Sequence, residues 1–177
     1  ALIMPILSHG AGNWPLLGTL QVQRLHGAYL KWIRSVLGNG CWAPGQLTDV
    51  QILLQWRLPS ISLRLAKHRL LFAFHLFADA PHLIVEMATA VADIPRSWFQ
   101  ALRQAMARAV SVDASFVVDD PLTMSVDAIV QWFHDHKHDG PRWVRRLFRR
   151  ALLQGSVIGE ALAGHHALRQ QDRKSVV

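Results

Sequence analysis

Apolar residues return at steps of three and four along most of the chain, and that rhythm commits it to amphipathic helices packed on one another. Strict apolar–polar alternation, the mark of a half-buried strand, is nearly absent. Over 19–37 the apolar positions are Val22, Leu25, Tyr29, Trp32, Ile33, Val36 and Leu37, all on one face. Thr19 is the expected N-cap there and Gly38-Asn39-Gly40 the stop. Thr48 caps a short helix ending near Arg57, because Pro59 disfavours helical backbone at Leu58. Ser60 or Ser62 caps a longer helix over 63–77, whose apolar face takes Leu65, Leu70, Phe72, Leu76 and Phe77 while Arg64, Lys67 and His68 point elsewhere.

Pro81 suits the first turn of the next helix, expected to reach Ala92, and Asp93-Ile94-Pro95 breaks it. A helix over 96–110 places Trp98, Leu102, Met106 and Ala109 on one side. Ser125 caps a helix through His134, and Asp139 caps another that opens on Pro141. That helix, 141–153, has the sharpest two-sided pattern in the chain. Trp143, Val144, Leu147, Phe148, Ala151 and Leu152 form one face, and Arg142, Arg145, Arg146, Arg149 and Arg150 form the other. A last helix is expected over 156–169. The expected fold is all-α, an irregular bundle of about seven to eight helices.

A chain of 177 residues with a 51% hydrophobic share can bury a real core. The single cysteine, Cys41, excludes an internal disulfide and a Cys-rich zinc site, which points to a reducing, intracellular setting, nuclear or cytoplasmic. The first residues lack the charged lead and long apolar stretch of a signal peptide. The longest apolar run, 70–92, contains His75, Asp79, Pro81, His82 and Glu86, so two buried helices joined at 79–81 are expected rather than a transmembrane segment.

Charge divides the chain. Residues 1–111 carry ten basic and four acidic side chains, 112–139 one basic and six acidic, and 140–177 eight basic and two acidic. Three parts are expected: a helical bundle over 1–111, an acidic connector with a short helix over 112–139, and a basic helical segment over 140–177. With a net charge of +7 and a pI near 10.7, the basic blocks point to a polyanion. The five guanidiniums of 142–150 are spaced to grip successive phosphates, each as a two-pronged donor. Their apolar partners would dock the helix to the body; an interfacial membrane helix is the competing use of such a pattern.

Other motifs carry less chemistry. His134 and His138, four apart, suit a divalent ion only if they share a helical face, and no third ligand is evident. Phe116-Val117-Val118-Asp119-Asp120 has the form of a polymerase metal-binding pair, yet no strand with a third aspartate precedes it, and Asp119-Asp120-Pro121 reads as a turn. Cys41, Ser8-His9 and His165-His166 lack any activating pattern, so no catalytic residue and no cofactor are assigned. The chain has seven tryptophans, most at core positions; Trp42 is the one placed to stack on a base.

The order of blocks over 7–78 resembles the region that follows the polymerase core in LINE-type non-LTR retrotransposon reverse transcriptases. The blocks are His9-Gly10 followed by Trp14; Leu25 with Trp32-Ile33-Arg34-Ser35-Val36-Leu37-Gly38; Thr48-Asp49-Val50-Gln51-Ile52-Leu53; Leu58-Pro59-Ser60; and Arg69-Leu70-Leu71-Phe72-Ala73-Phe74-His75. The sequence departs from that pattern at Leu71, Phe74 and Ala78. The resemblance implies a thumb-like, non-catalytic helical region that holds RNA or a primer–template duplex beside an upstream polymerase core of the same parent chain. Basic helical faces nominate Arg24, Lys31, Arg34, Arg64, Lys67 and Arg69, together with Arg142, Arg145, Arg146, Arg149 and Arg150, as contacts to the RNA or DNA backbone. The alternative is a non-enzymatic helical subunit that binds a protein partner through its arginine helix and tryptophans.

Overall fold

A computed structural model describes residues 10–37, 47–116 and 120–154. Among the described residues all regular structure is helical: a 3-10 turn Ala11–Asn13, then α1 Thr19–Leu37, α2 Asp49–Gln55, α3 Ile61–Asp79, α4 His82–Ala90, α5 Trp98–Val112, α6 Val126–Asp135 and α7 Gly140–Gln154. The all-α expectation holds. The segment 156–169, the loop with Cys41 and Trp42, and 117–119 lie outside the described residues.

Local chemistry explains most boundaries. Thr48 and Gln51 form a reciprocal capping box at α2, and the Ser60 and Ser125 hydroxyls accept from the amides of Leu63 and Ala128. α1 starts one position earlier than expected, since the Gly18 carbonyl accepts the first helical bond, from Val22, and Gly18 is therefore the cap residue. α5 starts two residues later than expected. Arg96 takes a left-handed φ of 61°, and the Ser97 hydroxyl caps by accepting from Gln100 N at 3.3 Å. α2 ends in a six-to-one closure, Leu58 N to Leu53 O at 2.8 Å, with Arg57 rather than glycine in the left-handed position at φ 50°.

α3 buries a broad apolar face, including Leu63, Leu65, Leu70, Phe74, Leu76 and Phe77, and leaves Arg64, Lys67 and His68 at its edge. At its start, Ile61 joins Tyr29, Leu30, Ile33, Ile52 and Leu53 in a small cluster with α1 and α2. From Leu63 onward it is the spine of a larger core with α5, α6 and α7. Phe74 and Phe133 meet edge to face at 4.7 Å, and Phe116, Trp132 and Trp143 close the far side. The larger core draws on all three charge-defined segments, for it includes Phe74, Phe116, Ile129, Phe133, Val144 and Phe148. The N-terminal segment is strapped across α3: Trp98 Nε1 donates to Gly12 O at 2.6 Å, and Arg69 donates to Pro15 O at 3.1 Å. Gly12 lies so close that a Cβ there would sit 2.6 Å from Phe72 Cβ.

Two expectations about burial fail. The break at 79–81 is real, but α4 buries no residue, and Leu83 and Met87 are exposed. Val36 lies on the stripe predicted for α1 yet is also exposed, whereas Leu30 is buried in its place.

Candidate nucleic-acid interface

The arginine helix folds as its pattern requires. Val144, Leu147, Phe148 and Ala151 are buried in the large core, while Arg142, Arg145, Arg146, Arg149 and Arg150 are all exposed. The inward face is thereby used up, which removes it from any membrane interface; no helix among the described residues is long and apolar enough to cross a membrane.

α7 packs beside the first half of α3, and this brings two distant basic patches together. Arg64, Lys67 and His68 of α3 face Arg145 and Arg149 of α7 across a cleft of about 320 Å³, completed by Pro59, Leu63 and Phe148. No acidic side chain lines it. Among the described residues no ion pair ties any arginine of 142–150 to an acid. Within each wall the cations stand at helical neighbour positions, Arg64 with Lys67 and Arg145 with Arg149, so like charges face each other along and across the cleft.

The electrostatic consequence falls on Lys67 and His68. Partial burial, then Arg64, Arg145 and Arg149, lower the Lys67 ammonium below its ordinary value. Burial, then Arg64 and Lys67, depress the His68 imidazole. Arg64 is held from beneath by the Tyr29 ring, with its guanidinium carbon 6.0 Å from the ring centroid. Tyr29 is fully buried and donates its hydroxyl to Pro59 O at 2.9 Å, and burial raises its own pKa.

The remaining basic nominees fall into three groups. Arg142, Arg146 and Arg150 stay on the outer face of α7, with Arg150 near enough to Asp113 to help lower a carboxyl that mainly accepts from Ser115. Arg24 and Lys31 are exposed on α1 and do not line the cleft. Arg34 and Arg69 are engaged inside the protein. Arg34 pairs with Asp49 at 2.6 Å and donates to Leu47 O at 3.1 Å. Arg69 is buried with 7% exposure, and burial followed by Arg108 pulls it down to about 10. These placements give both residues structural work in place of the phosphate contact expected of them.

The paired-histidine geometry does not form. α6 ends at Asp135, so His138 lies in the turn beyond it, and no group of three potential ligands occurs among the described residues. His136, which sequence reasoning left out, stacks on Trp132 at 4.6 Å instead. Asp120 accepts from Leu122 N at 3.0 Å and opens a turn, as its proline neighbour suggested. His68 is the cleft residue that sequence reasoning missed. Its position four after Arg64 and next to Lys67 was the available signal.

Compared with protein-family models, with curated proteins and with solved structures, the chain matches none.

Proposed function

We propose that this chain is a non-catalytic nucleic-acid-binding helical module that grips RNA or a primer–template duplex through its phosphates. One observation carries the proposal: four cations from two helices far apart in sequence converge on a cleft without acidic partners, beside the outer arginines of α7. A surface that leaves guanidiniums uncompensated at this density is stabilised by a polyanion, and each neutralised phosphate releases condensed counterions. The likeness to the post-polymerase region of LINE-type reverse transcriptases agrees with such a role and would place a polymerase core in the same parent chain. A protein partner held by the arginine helix and the tryptophans draws less support, because Trp98, Trp132 and Trp143 are packed against the core and, among the described residues, Trp56 is the one exposed tryptophan.

The test is binding of labelled RNA and DNA across a salt series. Affinity should fall linearly on logarithmic axes, and replacing the outer-row Arg142 and Arg146 with alanine should flatten the slope by about 2, close to one unit for each phosphate contact removed. Binding that ignores salt, or a slope unchanged in the double variant, would remove the proposal.

A further inference from the structure

The cleft differs from the rest of the basic surface. The outer arginines of α7 form an open row, suited to successive backbone phosphates. The cleft is a small concave space walled by cations on two sides, with Arg64 and Lys67 opposite Arg145 and Arg149. We propose that it is a receptor for a phosphate-dense end group, a terminal phosphate monoester or a polyphosphate, rather than for one internal phosphodiester. This rests on the nucleic-acid reading above and narrows it.

Three observations converge. The first is charge. Four cations that cannot be relieved by any lining acid face one space, and a diester brings a single negative charge to it. A monoester brings about 1.5 to 2 charges at neutral pH and three strong acceptor oxygens. A polyphosphate brings more. The second is size. About 320 Å³ lies at the lower end of the range of ligand pockets, roughly 300–1,000 Å³, which suits one compact group. The third is the floor. Leu63 and Phe148 are buried with 4% and 3% exposure, so the floor of the cleft presents no free phenyl face on which a base could stack. Charge on the two walls then favours the phosphate. Arg64, steadied over Tyr29, and His68 supply donors on the α3 wall, and proton uptake by His68 would add a fifth positive charge when the anion arrives.

The full chain is titrated with inorganic pyrophosphate while its melting temperature is followed, and with single-stranded RNA of one sequence bearing either a 5′-phosphate or a 5′-hydroxyl. Wild type is compared with Lys67→Gln and with Arg145→Ala, each verified as folded by circular dichroism; the second serves should the first lose its fold. Preference for the 5′-phosphorylated strand of about tenfold, abolished in either variant, supports the proposal with a strand end as the source. Stabilisation by pyrophosphate, abolished in the variants, with equal affinity for the two strands supports it with a free polyphosphate as the source. Equal affinity, no pyrophosphate effect and retained salt-sensitive RNA binding overturn the end-group receptor and leave the broader function standing. No RNA binding and no pyrophosphate effect overturn both.

Discussion

Lys67 stands among like charges: it is half-buried, three residues from Arg64 and across the cleft from Arg145 and Arg149. A like-charged helical neighbour costs about 0.2–0.5 kcal/mol; Arg64 is one, and Arg145 and Arg149 add to its effect from across the cleft. Lys67→Met keeps the stem and removes the charge. It is expected to raise the melting temperature in low salt by about 1–2 °C, given roughly 2–4 °C per kcal/mol for a chain of this size, and to cancel the stabilisation that added anions give wild type. Differential scanning calorimetry with and without pyrophosphate reads both effects. His68 sets a pH dependence of definite sign. Its folded value lies below the ordinary 6.5, so the unfolded chain takes up the proton first as pH falls. The stability attached to neutral His68 is complete above about 6.5 and drains away as pH drops through the depressed folded value. The groups that face it from α3 are Arg64 and Lys67, and from α7 Arg145 and Arg149, all cationic. His68→Asn should flatten the acid limb of a melting-temperature profile, and a profile unchanged by the substitution would contradict this account.

At the scale of elements, three caps were legible because they are local chemistry, while Gly18 took the place expected of Thr19 and Ser97 capped α5 without a signal. Thr48, Ser60 and Ser125 sit where a hydroxyl two or three residues ahead of an apolar stripe must sit. Arg57 and Arg96 were not legible, because both adopt the left-handed backbone that glycine prefers and nothing in an arginine advertises it. Arg57→Gly should therefore stabilise the α2 terminus by about 0.5–1 kcal/mol, the steric relief exceeding the added chain entropy. Chemical denaturation gives the difference directly, and a destabilised variant would show that the Arg57 side chain contributes more than its backbone costs. Arg34, Arg64 and Arg69 look alike in sequence, and partners from outside their own helix separate them. Asp49 claims the first, the Tyr29 ring and the cleft the second, and the Pro15 carbonyl the third. α4 was misjudged for a related reason. Its apolar composition matches a buried helix, and only the assembled fold reveals that, among the described residues, it packs on the core through Val85 and Ala88 while Leu83, Ile84 and Met87 stay exposed.

For the whole molecule, the division of the sequence by charge did not mark how it packs. α7 belongs to the basic segment, yet Val144, Leu147 and Phe148 lie in one core with Leu70 of α3 and Leu102 of α5. Burying such side chains contributes about 1.5–3 kcal/mol each, against a total stability of roughly 5–15 kcal/mol. Removing residues 140–177 is thus expected to abolish cooperative unfolding and expose Phe74 and Phe133, seen as strong binding of an apolar dye; a truncated chain that still melts in one sharp step would disprove this. The cleft was illegible in the sequence for the same reason, since its two walls are about eighty residues apart and meet only through that core. Gly140, where α7 begins, presses on the Phe74 ring so closely that a single methyl there has no room. That junction fixes where α7 begins over α3 and with it the interval between arginines on one wall and Lys67 on the other. The molecule therefore carries its own ruler, and an anion seated as proposed would have to match a length already set by two hydrocarbon surfaces.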